Sequence, residues 1–295
     1  MTARPALLLF GAFALLAIYE TAHAIYAPRA VATDGDWESA AAAVRAAYRP
    51  GDLIVFAPEW ADQVGRQHLG DLVTPEMAGR ADDDRYGRVW EVSIRGAGDC
   101  GRILQESQHG RVRVRLCEKA PAVAVAYDFT AHLAEARVTQ VPADGRRSGV
   151  EQPALAGLPD TDETACLTDA GGFRCATTRV ERRTLEIDYR PRRGVLAPVD
   201  GGLVTRIEFP SATLGAELVG YTGIHDYYSR KNSDGPVDFT VFVDGQPVAT
   251  VHHRNEDGWR RFAVATKPGT HAVRFEVRAP SAAWRTFGFH AEARK

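Results

Sequence analysis

The sequence lacks the patterns that identify many catalytic and nucleic-acid-binding proteins. It has four cysteines but no CxxC pair, and no GxSxG, HExxH or Walker motif, and we expect no GxGxxG dinucleotide-binding loop. Its 36 Lys and Arg against 38 Asp and Glu leave a net charge of -2, so we expect no nucleic-acid partner. A composition that is 45% hydrophobic and 25% charged excludes a disordered chain. One apolar segment excludes a multi-span membrane protein.

That apolar segment lies at the amino terminus. Arg4 precedes an apolar run over residues 6–19, and Ala22-His23-Ala24 has the form that signal peptidases cleave. This order predicts a signal peptide over residues 1–24. An uncleaved membrane anchor is the alternative, although a spanning helix needs about 20 apolar residues. Either reading places the rest of the chain outside the cytoplasm, as a periplasmic, cell-envelope or secreted protein.

The cysteines agree with an oxidising compartment. Four cysteines allow three pairings, which the sequence does not distinguish. Pairing Cys100 with Cys117 and Cys166 with Cys175 is the simplest, because each pair brackets a turn-rich stretch. We predict disulfides rather than a zinc site.

The pattern of the chain predicts an α+β protein with two domains, a small α/β domain and an antiparallel β-sandwich of jelly-roll type. Residues 32–128 mix helices with short apolar strands, of which 53–57 is the clearest, and indicate a partly parallel sheet. A second helix over 59–69 and a short helix over 102–108 are also predicted. Residues 129–183 are expected to be a loop-rich connection, with a surface loop over about 141–178. Residues 184–295 carry short strands separated by turns, including 237–243 followed by Asp244-Gly245, a hairpin signal.

Residues 203–295 resemble the galactose-binding-like sandwiches of carbohydrate-binding modules. Three motifs carry the resemblance: Phe239-Thr240-Val241-Phe242-Val243-Asp244-Gly245, Gly258-Trp259-Arg260, and the strand 269–277 with its Gly-x-His start. The resemblance implies sugar binding at loop ends or on an aromatic face. Many such modules hold a structural calcium, so we predict no cofactor other than this ion, for which no ligand set is matched.

A second resemblance covers residues 36–94. Asp36-Trp37, Arg49-Pro50-Gly51-Asp52, Pro58-Glu59-Trp60 and Arg88-Val89-Trp90 are similar to the exported tail of lipid-linked-sugar glycosyltransferases of the protein mannosyltransferase type. Those proteins have a membrane bundle that this chain lacks. The resemblance therefore implies a shared accessory domain, not transferase activity.

The ligand-binding prediction rests on a cluster of aromatic and charged residues. Sugars bind to flat apolar faces flanked by a few polar groups. The candidates for such a site are Tyr221, His225, Asp226, Tyr227, Tyr228, Arg230 and Trp259. The alternative is that the aromatic residues pack at the ends of the core.

Catalytic candidates follow the apolar strand 53–57. Glu59 and Asp62 are candidates for an acid–base pair and His68 for a general base, with a solvated helix face as the alternative. We predict no metal site. Adjacent His252 and His253 point to opposite faces of a strand and are interpreted as a solvated edge.

Three functions remain open. The favoured one is an exported or membrane-tethered, non-catalytic module that binds a glycan or glycoconjugate, and we therefore expect no enzyme. One alternative is a carbohydrate-active enzyme with its site in the α/β domain. The other is a structural envelope protein that binds a protein partner, such as a membrane protein of the envelope.

Overall fold

The computed structural model describes residues 4–26, 31–78, 83–120, 123–143, 163–176, 178–187, 190–199, 202–224, 236–279 and 285–295. The chain forms two compact units. The first comprises Met1–Met77 and Tyr86–Ala122, and the second comprises Ala78–Arg85 and Val123–Lys295. The predicted domain boundaries stay a prediction, and each unit is described by itself.

The described helices lie in the first third of the chain, apart from one 3-10 turn at Leu133–Glu135. No described helix is long and apolar enough to cross a membrane. The α-helices are α1 (Arg4–Tyr26), α2 (Asp34–Ala47), α3 (Asp62–Leu69) and α4 (Pro75–Ala78), and 3-10 turns lie at Glu59–Ala61 and Asp83–Arg85.

The first unit is a helix-covered sheet of four strands. The strands are β1 (Leu53–Ala57), β2 (Arg88–Ile94), β3 (Arg102–His109) and β4 (Val112–Glu118), in the order β1-β2-β4-β3. β1 and β2 run parallel and the other pairs run antiparallel, as the predicted partly parallel sheet requires. A capping box between Thr33 and Asp36 begins α2. Trp37, Ala40 and Val44 of that helix then pack on the sheet.

The second unit is a β-sandwich, which confirms the predicted fold class. One sheet has eight strands: seven in the order β16-β13-β18-β11-β10-β9-β8, and β5, which pairs with β18. The other sheet has six strands in the order β15-β14-β17-β12-β6-β7. The strands are β5 (Val125–Asp128), β6 (Arg137–Pro142), β7 (Thr164–Ala165), β8 (Leu167–Asp169), β9 (Gly172–Arg174), β10 (Arg179–Ile187), β11 (Arg190–Leu196), β12 (Leu203–Leu214), β13 (Glu217–Ile224), β14 (Val237–Val243), β15 (Gln246–His253), β16 (Arg260–Ala265), β17 (Gly269–Arg278) and β18 (Phe287–Arg294).

Aromatic rings fill the space between the two sheets. Phe239 and Phe275 of one sheet contact Phe289 of the other, with ring centroids 4.9 and 5.0 Å from it. Alternate residues of each strand point inward, so the opposite residues form the outer faces of the sandwich. The hairpin predicted at Asp244-Gly245 is confirmed: both residues have positive φ, 49° and 78°.

Two local predictions are wrong. Residues 102–108 form strand β3 instead of a helix, because they pair with β4, with one irregularity between Ile103 and Gln105. β3 is an edge strand whose side chains are mostly exposed on both faces, so it lacks the alternating apolar pattern of a half-buried strand. The described part of the predicted loop 141–178 contains β7, β8 and β9, and the β8–β9 hairpin turns at Gly171 with φ 82°.

Both disulfides have the local pairing. Cys100 is bonded to Cys117 in the first unit, and Cys166 is bonded to Cys175 in the second. The first joins the start of β3 to β4, and the second brackets the β8–β9 hairpin.

Candidate functional site

The three catalytic candidates of the first unit do not form one acid–base group. Asp62 is bonded to Arg66, one turn along α3, at 2.6 Å. The His68 ring lies parallel to that of Trp37, and its Nε2 lies 3.4 Å from Asp34 Oδ1. Glu59 is exposed in the 3-10 turn after β1. The structure thus gives Asp62 and His68 separate charged partners, and their catalytic roles stay predictions.

The predicted ligand-binding residues fall in two groups. His225, Asp226, Tyr227, Tyr228 and Arg230 lie outside the described residues. Tyr221 and Trp259 are described, and both are partly buried. They are brought together by a residue that sequence reasoning missed: the Arg192 guanidinium lies 3.8 Å from the centroid of Tyr221 and 5.7 Å from that of Trp259. We call Arg192, Tyr221 and Trp259 the aromatic–guanidinium cluster.

Trp259 is held by a short, internally bonded loop between β15 and β16. Asp257 Oδ2 accepts a hydrogen bond from the Arg254 backbone N–H at 2.9 Å, which closes the loop. Gly258 follows with φ 61°, a conformation that glycine adopts without strain. The indole Nε1 of Trp259 then donates to the Arg190 carbonyl at 2.7 Å. These bonds fix the ring before any ligand arrives.

Strand β13 carries Gly223 at the point where it comes closest to the Trp259 indole and to Ile187 of β10. A Cβ at Gly223 would lie 2.1 Å from Ile187 Cδ1 and 3.3 Å from Trp259 Cε3. The absence of a side chain at Gly223 therefore lets β10 and Trp259 pack directly on β13. The position of the indole depends on three strands and the β15–β16 loop.

The aromatic–guanidinium cluster continues into a row of ionisable residues on the outer face of the eight-stranded sheet. His290 lies directly opposite Tyr221 in the β13–β18 pairing, and Glu292 is two residues further along β18. Glu292 is fully buried; its Oε1 accepts from Arg294 Nε at 2.7 Å and its Oε2 lies 2.5 Å from Arg85 Nη2. Burial raises the pKa of Glu292, while the two arginines oppose that rise. Each carboxylate oxygen of Glu292 therefore contacts a guanidinium group.

A second set of buried polar residues lies in the sandwich unit. His253 and Arg285 are 0% and 1% exposed. His253 Nδ1 lies 3.3 Å from Thr222 Oγ1, and Arg285 Nη1 donates to Asn255 Oδ1 at 2.5 Å. Burial lowers the pKa of His253 to about 4, so this imidazole is neutral at pH 7.

The position of His253 corrects the interpretation of the His252-His253 pair as a solvated edge. His252 is exposed and bonds Asp238 Oδ1 at 2.7 Å, whereas His253 is buried against the ring of Phe287. The two rings do lie on opposite faces, as predicted. Among the residues that the structure describes, no three His, Cys, Asp or Glu side chains are grouped so that they could hold a metal ion.

The expectation that the chain has no GxGxxG loop overlooked a glycine pattern in the β2–β3 connection. Gly96, Gly98 and Gly101 have GxGxxG spacing, and all three have positive φ. A dinucleotide-binding loop places this spacing between a strand and a helix, whose amino terminus holds the pyrophosphate. Here the next element is strand β3 and not a helix, so the glycines do not form a dinucleotide site. They allow the left-handed backbone conformation that this loop adopts.

In comparisons with known proteins, part of the chain is similar to several solved structures. No family model and no curated protein matches the chain. One similar structure contains the CBM51-2 module, in complex with GlcNAc, and the INT domains of Clostridium perfringens ZmpB; it is 17% identical, with TM-score 0.29, over 38% of this chain and 25% of that one. Another contains the tandem CBM51 modules of a family 98 glycoside hydrolase from Streptococcus pneumoniae, with 15% identity, TM-score 0.29 and coverage of 39% and 36%.

A third similar structure is a β-1,3-glucan binding CBM6 from Bacillus halodurans. It is 12% identical, with TM-score 0.28, over 39% of this chain and 85% of that one. The chain thus spans 25% and 36% of the first two structures and most of the third. The glycosyltransferase resemblance of residues 36–94 finds no support in these comparisons. At these identities and TM-scores, the likeness assigns this chain no family, ligand or activity.

Proposed function

We propose that the sandwich unit is a non-catalytic glycan-binding module of an exported protein. The observation that carries the proposal is the aromatic–guanidinium cluster. Trp259 offers a partly exposed indole fixed by its bond to the Arg190 carbonyl, and the Arg192 guanidinium lies beside it. A flat apolar ring next to a hydrogen-bond donor is the combination that pyranose rings require.

Within this cluster, the Trp259 indole is the ring on which the sugar stacks, and Tyr221 holds Arg192 in position. One face of the Tyr221 ring is covered by Arg192 at 3.8 Å, so that ring orients the guanidinium. The Arg192 guanidinium also lies 5.7 Å from the centroid of the Trp259 indole. The roles of His225, Asp226, Tyr227, Tyr228 and Arg230 stay predictions, because these residues lie outside the described part of the chain.

Export is supported by the covalent structure. Two disulfides use all four cysteines, and disulfides persist in oxidising compartments. This agrees with the predicted signal peptide at residues 1–24, so the protein meets glycans outside the cytoplasm.

The test is calorimetric titration of the full oxidised chain with GlcNAc, methyl galactoside and a β-1,3-glucan oligosaccharide. We expect one of these sugars to bind and Trp259→Ala to weaken that binding about tenfold, which corresponds to one lost stacking interaction. Phe242→Ala is the matched control, because Phe242 also lies under a guanidinium, that of Arg274 at 4.2 Å, on the other sheet.

Equal weakening by Trp259→Ala and Phe242→Ala, or none by Trp259→Ala, contradicts the proposed site. If the folded, oxidised protein binds none of these sugars, these ligands are excluded. A wider glycan screen then decides the function.

A further inference from the structure

The first unit carries an aromatic–guanidinium pair that the glycan-binding proposal does not use. Trp60 is 59% exposed, and the Arg95 guanidinium lies 5.4 Å from the centroid of its ring. Trp60 follows β1 and Arg95 follows β2, and these two strands run parallel. The two residues therefore extend from the same edge of the sheet, where the carboxyl ends of both strands lie.

The backbone under Trp60 is fixed although its ring faces solvent. Ala61, the next residue, is fully buried, and its N–H donates to the Pro58 carbonyl at 2.8 Å. In α3, Gly65 lies against the Phe56 ring so closely that a Cβ would be 2.0 Å from it. The segment that carries Trp60 is thus packed onto β1. A single exposed aromatic residue is ordinary on protein surfaces, so the evidence for a site comes from its partner.

Arg95 is held in an unfavourable backbone conformation. Its φ is 56°, in the left-handed region that side chains other than Gly, Asn and Asp rarely adopt. Strain of this kind persists where the surrounding structure enforces it, and it concentrates at functional sites. At a position that glycine would fill without strain, this chain keeps an arginine.

Two arginines of β4 bind the loop that follows Arg95. Arg113 Nη2 donates to the Ala97 carbonyl at 3.0 Å, and Arg115 Nη2 donates to the Gly98 carbonyl at 2.8 Å. Arg115 is itself fixed by the buried carboxylate of Glu91 at 2.5 Å. The disulfide of Cys100 closes the far end of the loop. The loop from Arg95 to Cys100 is therefore preorganised.

The charge of Arg95 is not neutralised by this framework. The residue is exposed, and within the described part of the chain it makes no ion pair, while its guanidinium contacts the Trp60 ring. The loop also contacts the guanidinium groups of Arg113 and Arg115; Glu91 pairs with Arg115, and Asp99 of the loop accepts a hydrogen bond from the Gly101 N–H at 3.4 Å. This edge of the sheet thus presents the exposed Trp60 ring next to the Arg95 guanidinium, which makes no ion pair with the described residues.

We propose that Trp60 and Arg95 form a binding site for a carboxylated sugar, a pyranose ring that carries a uronic acid group. The C–H face of the ring packs on the indole, and the carboxylate receives two parallel hydrogen bonds from the guanidinium. A neutral sugar would leave the guanidinium without its anion, and a small inorganic anion would leave the indole without a partner. The site requires both parts in one ligand, and it does not depend on the sandwich unit.

The test is calorimetric titration of the full oxidised chain with methyl glucuronide and methyl glucoside, which differ at the carboxylate, and with acetate. We expect methyl glucuronide to bind at least tenfold more tightly than either of the other two. Arg95→Gly removes the guanidinium at a position that favours glycine, so the variant folds and its thermal midpoint does not fall. In this variant we expect the preference for glucuronide over glucoside to disappear.

Two further variants make the result specific. Trp60→Ala is expected to weaken glucuronide binding at least tenfold, and Trp259→Ala, in the sandwich unit, is expected to leave it unchanged. The proposal is overturned if wild-type protein shows no saturable glucuronide binding up to about 50 mM. It is also overturned if Arg95→Gly retains the preference, or if Trp259→Ala abolishes the binding, which would assign the ligand to the sandwich.

Discussion

Replacing Phe275 with alanine is expected to lower the free energy of unfolding of the sandwich unit by about 3–5 kcal/mol. Phe275 is fully buried on β17, and its ring lies within 5.0–6.0 Å, between centroids, of the rings of Phe129, Phe209, Phe239 and Phe289. Phe209 and Phe239 come from the same sheet as Phe275, Phe289 comes from the other sheet, and Phe129 follows β5. The cavity left by the substitution therefore opens at the centre of the sandwich, where neighbouring strands cannot collapse onto it.

Hydrogen exchange measured by mass spectrometry resolves this effect because it reports on each unit separately. In Phe275→Ala, the slowest amides of β12, β14 and β17 are expected to exchange at least about 100 times faster, while those of β1 and β2 are unchanged. Phe242→Ala, on the outer side of β14, is the control and is expected to cost about 1 kcal/mol. Equal effects of the two substitutions would show that the aromatic cluster is not the centre of the core.

Acidification from pH 7 to pH 5 is expected to destabilise the sandwich unit by about 4 kcal/mol, roughly 2 kcal/mol for each of two histidines. Burial lowers the pKa of His253 and that of His290 to about 4, below the ordinary value of 6.5. At pH values between about 4 and 6.5, these histidines therefore bind more protons in the unfolded chain than in the folded one. The stability is therefore complete above pH 6.5 and is lost as the pH falls toward 4.

Neighbouring charges modify this dependence without reversing it. The Asp257 carboxylate raises the pKa of His253 and Arg260 lowers it. Asp128 raises the pKa of His290, and the three nearby arginines lower it: Arg85, Arg192 and Arg294. Glu292, whose pKa burial raises, contributes with the opposite sign, because its protonated form is favoured in the fold. It offsets part of the loss at the acid end of the range.

Urea unfolding at several pH values, followed for each unit by pulsed hydrogen exchange, measures this slope. His253→Gln and His290→Gln are each expected to remove about 2 kcal/mol of the difference between pH 7 and pH 5, whatever they do to stability at pH 7. A slope that both variants leave unchanged would show that the two histidines titrate normally in the folded protein.

Much of the fold could be predicted because local pattern and tertiary structure agree. The buried strand β1 is a continuous apolar run, and β14 ends in the Asp244-Gly245 turn that its hairpin requires. Strand β3 could not be predicted in this way, because an exposed edge strand has no apolar alternation and its identity comes from pairing with β4. Strand β11 was missed because its first half, Arg190 to Arg193, reads as a charged turn.

The candidate sites depended more on tertiary placement. Tyr221 and Trp259 could be selected as aromatic residues near strand ends, but Arg192, which joins them, lies 29 residues before Tyr221 and on another strand. The burial of His253 likewise depends on packing against Phe287, which no local pattern indicates. Trp60 belongs to a motif noted in the sequence, but the strained Arg95 beside it becomes visible only with backbone angles.

The central claim, that the sandwich unit binds glycans through Trp259, is tested most directly by a glycan array probed with the full oxidised chain and with its Trp259→Ala and Trp60→Ala variants. The account predicts a set of neutral glycans whose binding is lost in Trp259→Ala and kept in Trp60→Ala. A wild-type chain that is folded and oxidised but binds no neutral glycan, or binding that survives Trp259→Ala, would contradict the claim.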